Sequence, residues 1–159
     1  FNIDYISVPM GEAAKSMKEF SNVMSQLAEF ECDRSTTVLA LGGWVVGDLA
    51  GFAASTFMRG SEYFQIPTTL LAMVDSSNGG KTGINIAQGK NMIGAFYQPK
   101  GVLIDPNILN SVNCKAIRAK TVNIVNNKTI PMHTLSTNRY RPESSSAIVA
   151  SAITNSIIL

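Results

Sequence analysis

The chain has 159 residues, of which 45% are hydrophobic and 15% are charged, and its formal net charge is +2. This length and composition are typical of one globular domain with a real core, not of a disordered chain. The small charge does not favour nucleic acid or a membrane surface as a partner, and no apolar run approaches the roughly 20 residues of a spanning helix.

The cysteines and the start of the chain suggest where the protein works. Cys32 and Cys114 form neither a metal-binding spacing nor a disulfide framework, and no signal peptide opens the sequence. We therefore expect a reduced, cytoplasmic setting. Because the first residue is Phe1, we also expect a piece of something longer or a processed product.

The first third of the chain predicts a helix, a strand and a second helix. Apolar residues recur at helical spacing over 11–30, and a short β-branched run at 36–41 predicts a buried strand that ends in glycines. Small residues dominate 45–57, so this second helix can pack closely on a sheet. The apolar stripe predicted for the first helix consists of Ala13, Met17, Phe20, Met24, Leu27 and Phe30.

The middle of the chain continues the alternation of strands and helices. Strand, helix, strand, helix and strand in this order predict a parallel α/β domain. The predicted elements are a strand at 63–66, helical turns at 69–74, a polar glycine-rich loop at 75–80, a β-hairpin or extended arm at 81–97, a strand at 101–104 and the start of a helix at 106–111.

The character of the sequence changes near Asn113. Residues 113–159 are rich in asparagine and serine and show little periodicity, which predicts a weakly specified, partly disordered tail. Hydrophobic residues return only over 147–159, and we expect this apolar end to lack a partner face.

Two glycine-rich regions are candidates for binding an anion. Gly42 and Gly43 join a strand to a helix, where backbone N–H groups attract anions, although such turns are also common packing devices. Farther along, Lys81 and Lys90 lie in glycine-rich loops and could neutralise a phosphate or carboxylate. A solvated loop with turn glycines explains the second region equally well.

Five strings of residues make the pattern specific. Over about two thirds of the chain, residues 12–111, they resemble the 3-dehydroquinate synthase family in its bacterial form. The strings are VGDLAG at 46–51, FQIPTT at 64–69, MVDSS at 73–77, GGKTG at 79–83 and GKNMIGAF at 89–96.

The resemblance implies a fold and a reaction. It implies a Rossmann-like α/β domain, a parallel sheet with flanking helices, that binds NAD, while the family's helical domain holds a divalent metal, zinc or cobalt. The reaction is the cyclisation of a phosphorylated seven-carbon sugar acid with loss of phosphate, a carbon–oxygen lyase step of the shikimate pathway, and NAD is regenerated each turnover. Residues 1–105 would form the NAD-binding domain, 106–112 the start of the helical domain and 113–159 a divergent tail, so the metal-binding domain is largely absent.

The resemblance also implies roles for single residues. Asp75, Lys81 and Asn91 would face the substrate, a small phosphorylated sugar acid. Arg59 would reach the substrate of a neighbouring subunit, which implies a homodimer and completes the catalytic set. Cofactor contacts would come from Glu12, Lys15, Gly43, Asp48, Thr68, Thr69, Lys81 and Lys90.

Three positions depart from the family. Trp44 stands where the family has a third glycine, so its indole would obstruct the close approach of a cofactor, and a positive φ would cost about 1–2 kcal/mol more. Asn123 falls at the position of the metal-binding glutamate, and an amide replaces a carboxylate poorly. His133 is the sole histidine and lies in the unmatched tail, which is typical of a surface residue. The sequence therefore predicts no metal site and impaired NAD binding.

Three functions remain open from the sequence. The chain resembles a 3-dehydroquinate synthase, inactive as it stands. A sister sugar-phosphate cyclase would keep NAD and metal but close a different sugar, and residues 79–96 look less like that class. A non-catalytic truncated copy is favoured by the abrupt end of family-like residues near Ser111 and by the missing metal ligands.

Overall fold

A computed structural model describes residues 3–111 and 156–159, apart from the side chains of residues 110 and 111. Its strands are β1 (Tyr5–Ser7), β2 (Val38–Gly42), β3 (Tyr63–Pro67), β4 (Lys81–Ile86), β5 (Gly89–Phe96), β6 (Gly101–Val102) and β7 (Ser156–Ile158). The α-helices are α1 (Met17–Glu29), α2 (Trp44–Thr56) and α3 (Leu70–Val74). Short 3-10 turns span Glu12–Ala14, Phe57–Arg59, Ser76–Asn78 and Pro106–Ser111.

Helix α1 begins later than its apolar pattern predicts. The Ser16 hydroxyl accepts a hydrogen bond from the Glu19 backbone N–H at 3.3 Å, so Ser16 is the N-cap and residues 12–14 form a separate 3-10 turn. A serine followed three residues later by a glutamate is a known start signal for a helix, and it outweighs the apolar spacing further upstream.

The face that α1 buries also differs from the predicted stripe. Val23 and Leu27 are buried, with Phe20 and Met24 partly buried beside them. The prediction was wrong for three residues, because the helix presents only one narrow side to the core. Ala13, Met17 and Phe30 are exposed.

The parallel α/β core is confirmed. Strands β2, β3 and β6 run parallel, and α2 and α3 connect them in the expected order. Small residues bring α2 close to its neighbours: a Cβ at Gly51 would lie only 2.5 Å from Thr82 Cγ2 and 3.0 Å from Tyr63 Oη. The glycines thus set the height of α2 above the sheet and above the hairpin of β4 and β5.

The sheet is mixed rather than wholly parallel. Its order is β1-β7-β2-β3-β6, and β7 lies antiparallel to both β1 and β2. Ile157 pairs with Ile6 on one side and Ala40 on the other, and its side chain is 0% exposed. For residues 156–159, the expectation that the apolar end of the tail lacks a partner face was therefore wrong, because sheet hydrogen bonds and burial hold them. The other expectations for 113–155 lie outside the described residues.

The predicted hairpin is confirmed at 81–97. Strands β4 and β5 pair antiparallel with a register shift between Ile84 and Ile86, and Gly83 lies opposite Gly94. A Cβ at Gly94 would lie 2.1 Å from the Thr82 carbonyl oxygen, so a side chain there would separate the strands. None of the helices in the described ranges has the length and apolar character to span a bilayer.

We expect Ile157→Ala to lower the free energy of unfolding by about 2–4 kcal/mol, because it opens a cavity between β1 and β2. Ile158→Ala, a change to the half-buried neighbour on the same strand, is the matched control and should cost clearly less. Urea unfolding of both variants measures this. Equal losses of unfolding free energy in the two variants would contradict the burial of Ile157 between β1 and β2.

Candidate functional site

Apart from Arg59, the polar residues singled out by the sequence lie near the ends of β2 and β3 or along the adjoining hairpin. In an open α/β sheet, ligands bind outside the carboxyl ends of the parallel strands. Strand β2 leads through Gly43 into α2, and β3 leads through Thr68 and Thr69 into α3. The Thr68 N–H donates to the Gly42 carbonyl at 2.9 Å, so the two turns lie side by side.

At the Gly43 turn a ligand can reach the first backbone N–H groups of α2 through a narrow space. Gly43 is the N-cap of the 13-residue helix α2 and no side chain caps the first N–H groups of that helix. A Cβ at Gly43 would lie 3.3 Å from Thr69 Cγ2, so any larger residue would crowd this space. Uncapped N–H groups at the head of a helix are donors suited to a phosphate.

A buried lysine is the centre of the site. The Lys15 side chain is 0% exposed, and its ammonium forms an ion pair with Asp48 Oδ2 in the first turns of α2. The same ammonium donates to Asn91 Oδ1 at 2.5 Å. Three residues predicted from the resemblance are thus brought together from the start of the chain, α2 and β5.

Burial and pairing act in opposite directions on the Asp48 carboxyl. Burial raises its pKa because the charged form loses hydration, and the hydrogen bond and charge of Lys15 oppose that rise. The net direction is upward despite the ion pair. Asp48 therefore holds a proton more readily in the folded chain than in the unfolded chain.

Trp44 does not take the strained conformation considered from the sequence. It is the first residue of α2, whereas Gly43 forms the cap, and it is not among the residues with positive φ. The expected cost of a left-handed backbone is therefore wrong. Its indole lies against the lysine, with Lys15 Nζ 4.8 Å from the ring centroid. Obstruction of a cofactor by the indole stays a prediction.

A second polar group adjoins the buried lysine. Glu12 accepts from Lys90 Nζ at 2.7 Å and from Asn85 Nδ2 at 3.2 Å. The Lys90 contact is the largest cause that holds the pKa of the Glu12 carboxyl below its usual range. A hollow of about 550 Å³ is lined by Glu12, Asn85 and Lys15 together with their neighbours.

Asn85 is the residue that the sequence reading missed. Its side chain bonds Glu12, its Oδ1 accepts from the Asn91 N–H at 2.8 Å, and its own N–H donates to the Lys15 carbonyl at 2.9 Å. These bonds hold Asn91 at a φ of 55°. The available signal was an asparagine between two isoleucines in a predicted strand, where a polar side chain needs a reason.

A cavity of about 480 Å³ lies between α2, the loop after α3 and the hairpin. Four predicted residues line it: Asp48, Asp75, Lys81 and Asn91. Lys81 and Asp75 are exposed there, so both charges can meet a polar ligand. Arg59 does not line this cavity; it is exposed beyond the other end of α2, with a φ of 70°.

The described residues fit a dinucleotide but not a metal ion. The uncapped head of α2, the space at Gly43 and the threonines at the next turn suit a pyrophosphate and its ribose. In contrast, within 3–111 and 156–159 no group of three or more His, Cys, Asp or Glu could hold a metal. Asn123 and His133 lie outside the described residues.

We expect Lys15→Met to lower the free energy of unfolding by about 3–5 kcal/mol at neutral pH, because it leaves Asp48 buried without a counter-charge. Lys90→Met removes the exposed partner of Glu12 and is the matched control, with a much smaller loss because water screens that pair.

The loss in Lys15→Met should depend on pH. Without Lys15 the folded-state pKa of Asp48 rises further above its unfolded value. Stability contributed by such a group is present below the unfolded pKa and is lost as pH rises through the folded pKa. The deficit relative to the parent chain should thus shrink in acid, as urea titrations at several pH values can measure. A deficit that is constant with pH would count against this reading of Asp48.

Comparisons with known proteins identify the family of the chain. A family described as 3-dehydroquinate synthase N-terminal matches residues 5–119. The 3-dehydroquinate synthase of Methylacidiphilum infernorum (isolate V4) is 50% identical over 125 residues, which is 79% of this chain and 35% of the relative. That of Dictyoglomus thermophilum is 52% identical over 120 residues, 76% of this chain and 34% of the relative.

Solved structures of related enzymes share the fold. A 2-deoxy-scyllo-inosose synthase complexed with carbaglucose-6-phosphate, NAD⁺ and Co²⁺ has a TM-score of 0.68 at 32% identity, over 73% of this chain and 32% of that one. ValA, a 2-epi-5-epi-valiolone synthase from Streptomyces hygroscopicus subsp. jinggangensis 5008 with NAD⁺ and Zn²⁺ bound, has a TM-score of 0.68 at 36% identity, over 74% of this chain and 33% of that one. This chain spans about a third of the length of these relatives. The family match covers most of the chain, and the chain therefore belongs to the 3-dehydroquinate synthase family, as an N-terminal part of it.

Proposed function

We propose that this chain is the NAD-binding and substrate-binding part of a 3-dehydroquinate synthase, with residues 1–105 as its nucleotide-binding domain. The main support for the proposal is that Lys15 bonds both Asp48 and Asn91 next to the uncapped N-terminus of α2. Identity of about half with synthases from several bacteria supports this reaction over a sister cyclase, since the two cyclase structures are 32% and 36% identical.

The nucleotide would lie across the ends of β2 and β3. Backbone N–H groups after Gly43 would donate to the pyrophosphate, and the space against Thr69 would admit it. Glu12 would accept from ribose hydroxyls, while Lys90 holds that carboxylate in place. Bound NAD⁺ would supply a reversible hydride acceptor: the ketone formed by loss of hydride would acidify the neighbouring C–H and favour loss of phosphate, and the hydride would then be returned.

The phosphorylated sugar acid would occupy the 480 Å³ cavity. The exposed ammonium of Lys81 suits its phosphate or carboxylate, and Asp75 can accept from its hydroxyls. Asn91 would present its remaining amide N–H groups, because its oxygen is engaged by Lys15. These residues would bind and orient the substrate, and the described residues do not fit a metal ion.

Arg59 suits contact with a second subunit better than contact with its own cavity. It is exposed at the end of α2, where Met58 and Arg59 both have positive φ, at 49° and 70°. Such backbone is held only where the surrounding structure over-determines it, and it is enriched at functional sites. We propose that Arg59 reaches the substrate of a partner subunit in a homodimer.

We expect the chain to bind NAD⁺ weakly and Gly43→Ala to weaken that binding at least about tenfold, or ~1.4 kcal/mol. The physical reason is the new methyl group 3.3 Å from Thr69. Gly89→Ala is the matched control, because its Cβ would meet only the flexible Met92 side chain. Calorimetric titration with helical content checked by circular dichroism measures both. No binding by the parent chain, or equal affinity in the two variants, would refute the assigned nucleotide position.

We also expect the chain by itself to form no 3-dehydroquinate from its sugar-acid phosphate with NAD⁺ and zinc present. It spans about a third of the synthases it matches, and its described residues hold no metal site. Product measured by chromatography against a no-protein blank tests this. Zinc-dependent turnover above the blank would show that the chain carries the complete reaction.

A further inference from the structure

The ammonium of Lys15 is enclosed by the side chains of Asp48, Asn91 and Trp44. A lysine ammonium has three donors. Asp48 Oδ2 and Asn91 Oδ1 accept two of them, and Nζ lies over the ring of Trp44, 4.8 Å from its centroid. The side chain is 0% exposed, so water does not reach it either.

Trp44 is the part of this enclosure that adjoins the glycine turn in the chain. It directly follows Gly43, and its indole is half-buried over the ammonium. An aromatic face attracts a cation most strongly when both are shielded from water, as here. Asp48 keeps 18% exposure, so the carboxylate remains accessible from the site while the cation does not.

We propose that Trp44 determines how tightly this site holds anionic ligands, because its indole occupies the third side of the Lys15 ammonium and withholds that charge. The nature of the ligand, a dinucleotide with a pyrophosphate, rests on the proposed function. Its negative charge is then met by the helix head after Gly43 and by the exposed Lys81 and Lys90 rather than by the buried lysine.

This role differs from simple obstruction, and substitutions at Trp44 separate the two. Leucine keeps apolar bulk but has no aromatic face, phenylalanine keeps a face, and glycine removes both. If the face matters, Trp44→Leu frees one N–H of Lys15 for the pyrophosphate, and Trp44→Phe does not. If only bulk matters, the affinity follows side-chain size instead.

The test is calorimetric titration of the full chain with NAD⁺ at several salt concentrations. We expect Trp44→Leu to bind about 3- to 10-fold more tightly than the parent, between the sizes of an exposed and a fully shielded cation–π contact, with a steeper salt dependence. Trp44→Phe should stay near the parent. In a Lys15→Met background, Trp44→Leu should give no gain. Tighter binding by Trp44→Gly alone, or a gain in Trp44→Leu that persists without Lys15, would overturn the proposal.

Two further comparisons keep the proposal testable if a protein does not fold or NAD⁺ does not bind. The leucine and phenylalanine variants decide between face and bulk even if Lys15→Met does not fold. If NAD⁺ binds to none of the proteins, the proposed function fails separately, and the same variants are titrated with inorganic pyrophosphate. Equal affinity of parent, leucine and phenylalanine forms for pyrophosphate would then overturn the role of Trp44.

Discussion

The buried charge of Lys15 is the constraint on which the rest of the site depends. An ammonium without access to water is costly unless it is paired and hydrogen-bonded. Asp48, Asn91 and Trp44 meet that need from α2 and the hairpin, while the lysine follows the first 3-10 turn. Three segments far apart in sequence are thereby held against one another, and the position of each is set by one cation.

The sheet and helix α2 place this cation near the edge where the parallel strands β2 and β3 end. Parallel strands β2 and β3 end together, so the turns at Gly43 and Thr68 meet. Glycines in α2 let the hairpin approach: a Cβ at Gly51 would lie within 3.0 Å of both Thr82 and Tyr63. Because the hairpin is close, Asn91 and Asn85 reach the lysine and the glutamate. Close packing therefore brings the ends of β2 and β3 next to the 480 Å³ cavity.

Much of this could be predicted from local pattern. The strands at β2 and β3, helix α2 and the hairpin follow from apolar runs, small residues and turn glycines, and the resemblance predicts site roles for Lys15, Asp48 and Asn91. The start of α1 was misplaced because apolar spacing was weighed above the Ser16 cap. Asn85 was missed because a single polar residue in a strand has no periodic signal, and its three bonds form only after β4 folds back on the chain.

The sequence by itself determined the α/β class, the glycine turn between β2 and α2, and the family, since these depend on residues that are neighbours in the chain. Tertiary structure alone decided that Ile157 enters the sheet between β1 and β2, because strand pairing depends on a distant partner and not on local propensity. Tertiary structure also decided where the Trp44 indole lies. From the sequence, a bulky residue at a turn is expected to obstruct a ligand. In the folded chain the indole instead packs against the buried ammonium of Lys15, which lies 29 positions earlier in the sequence.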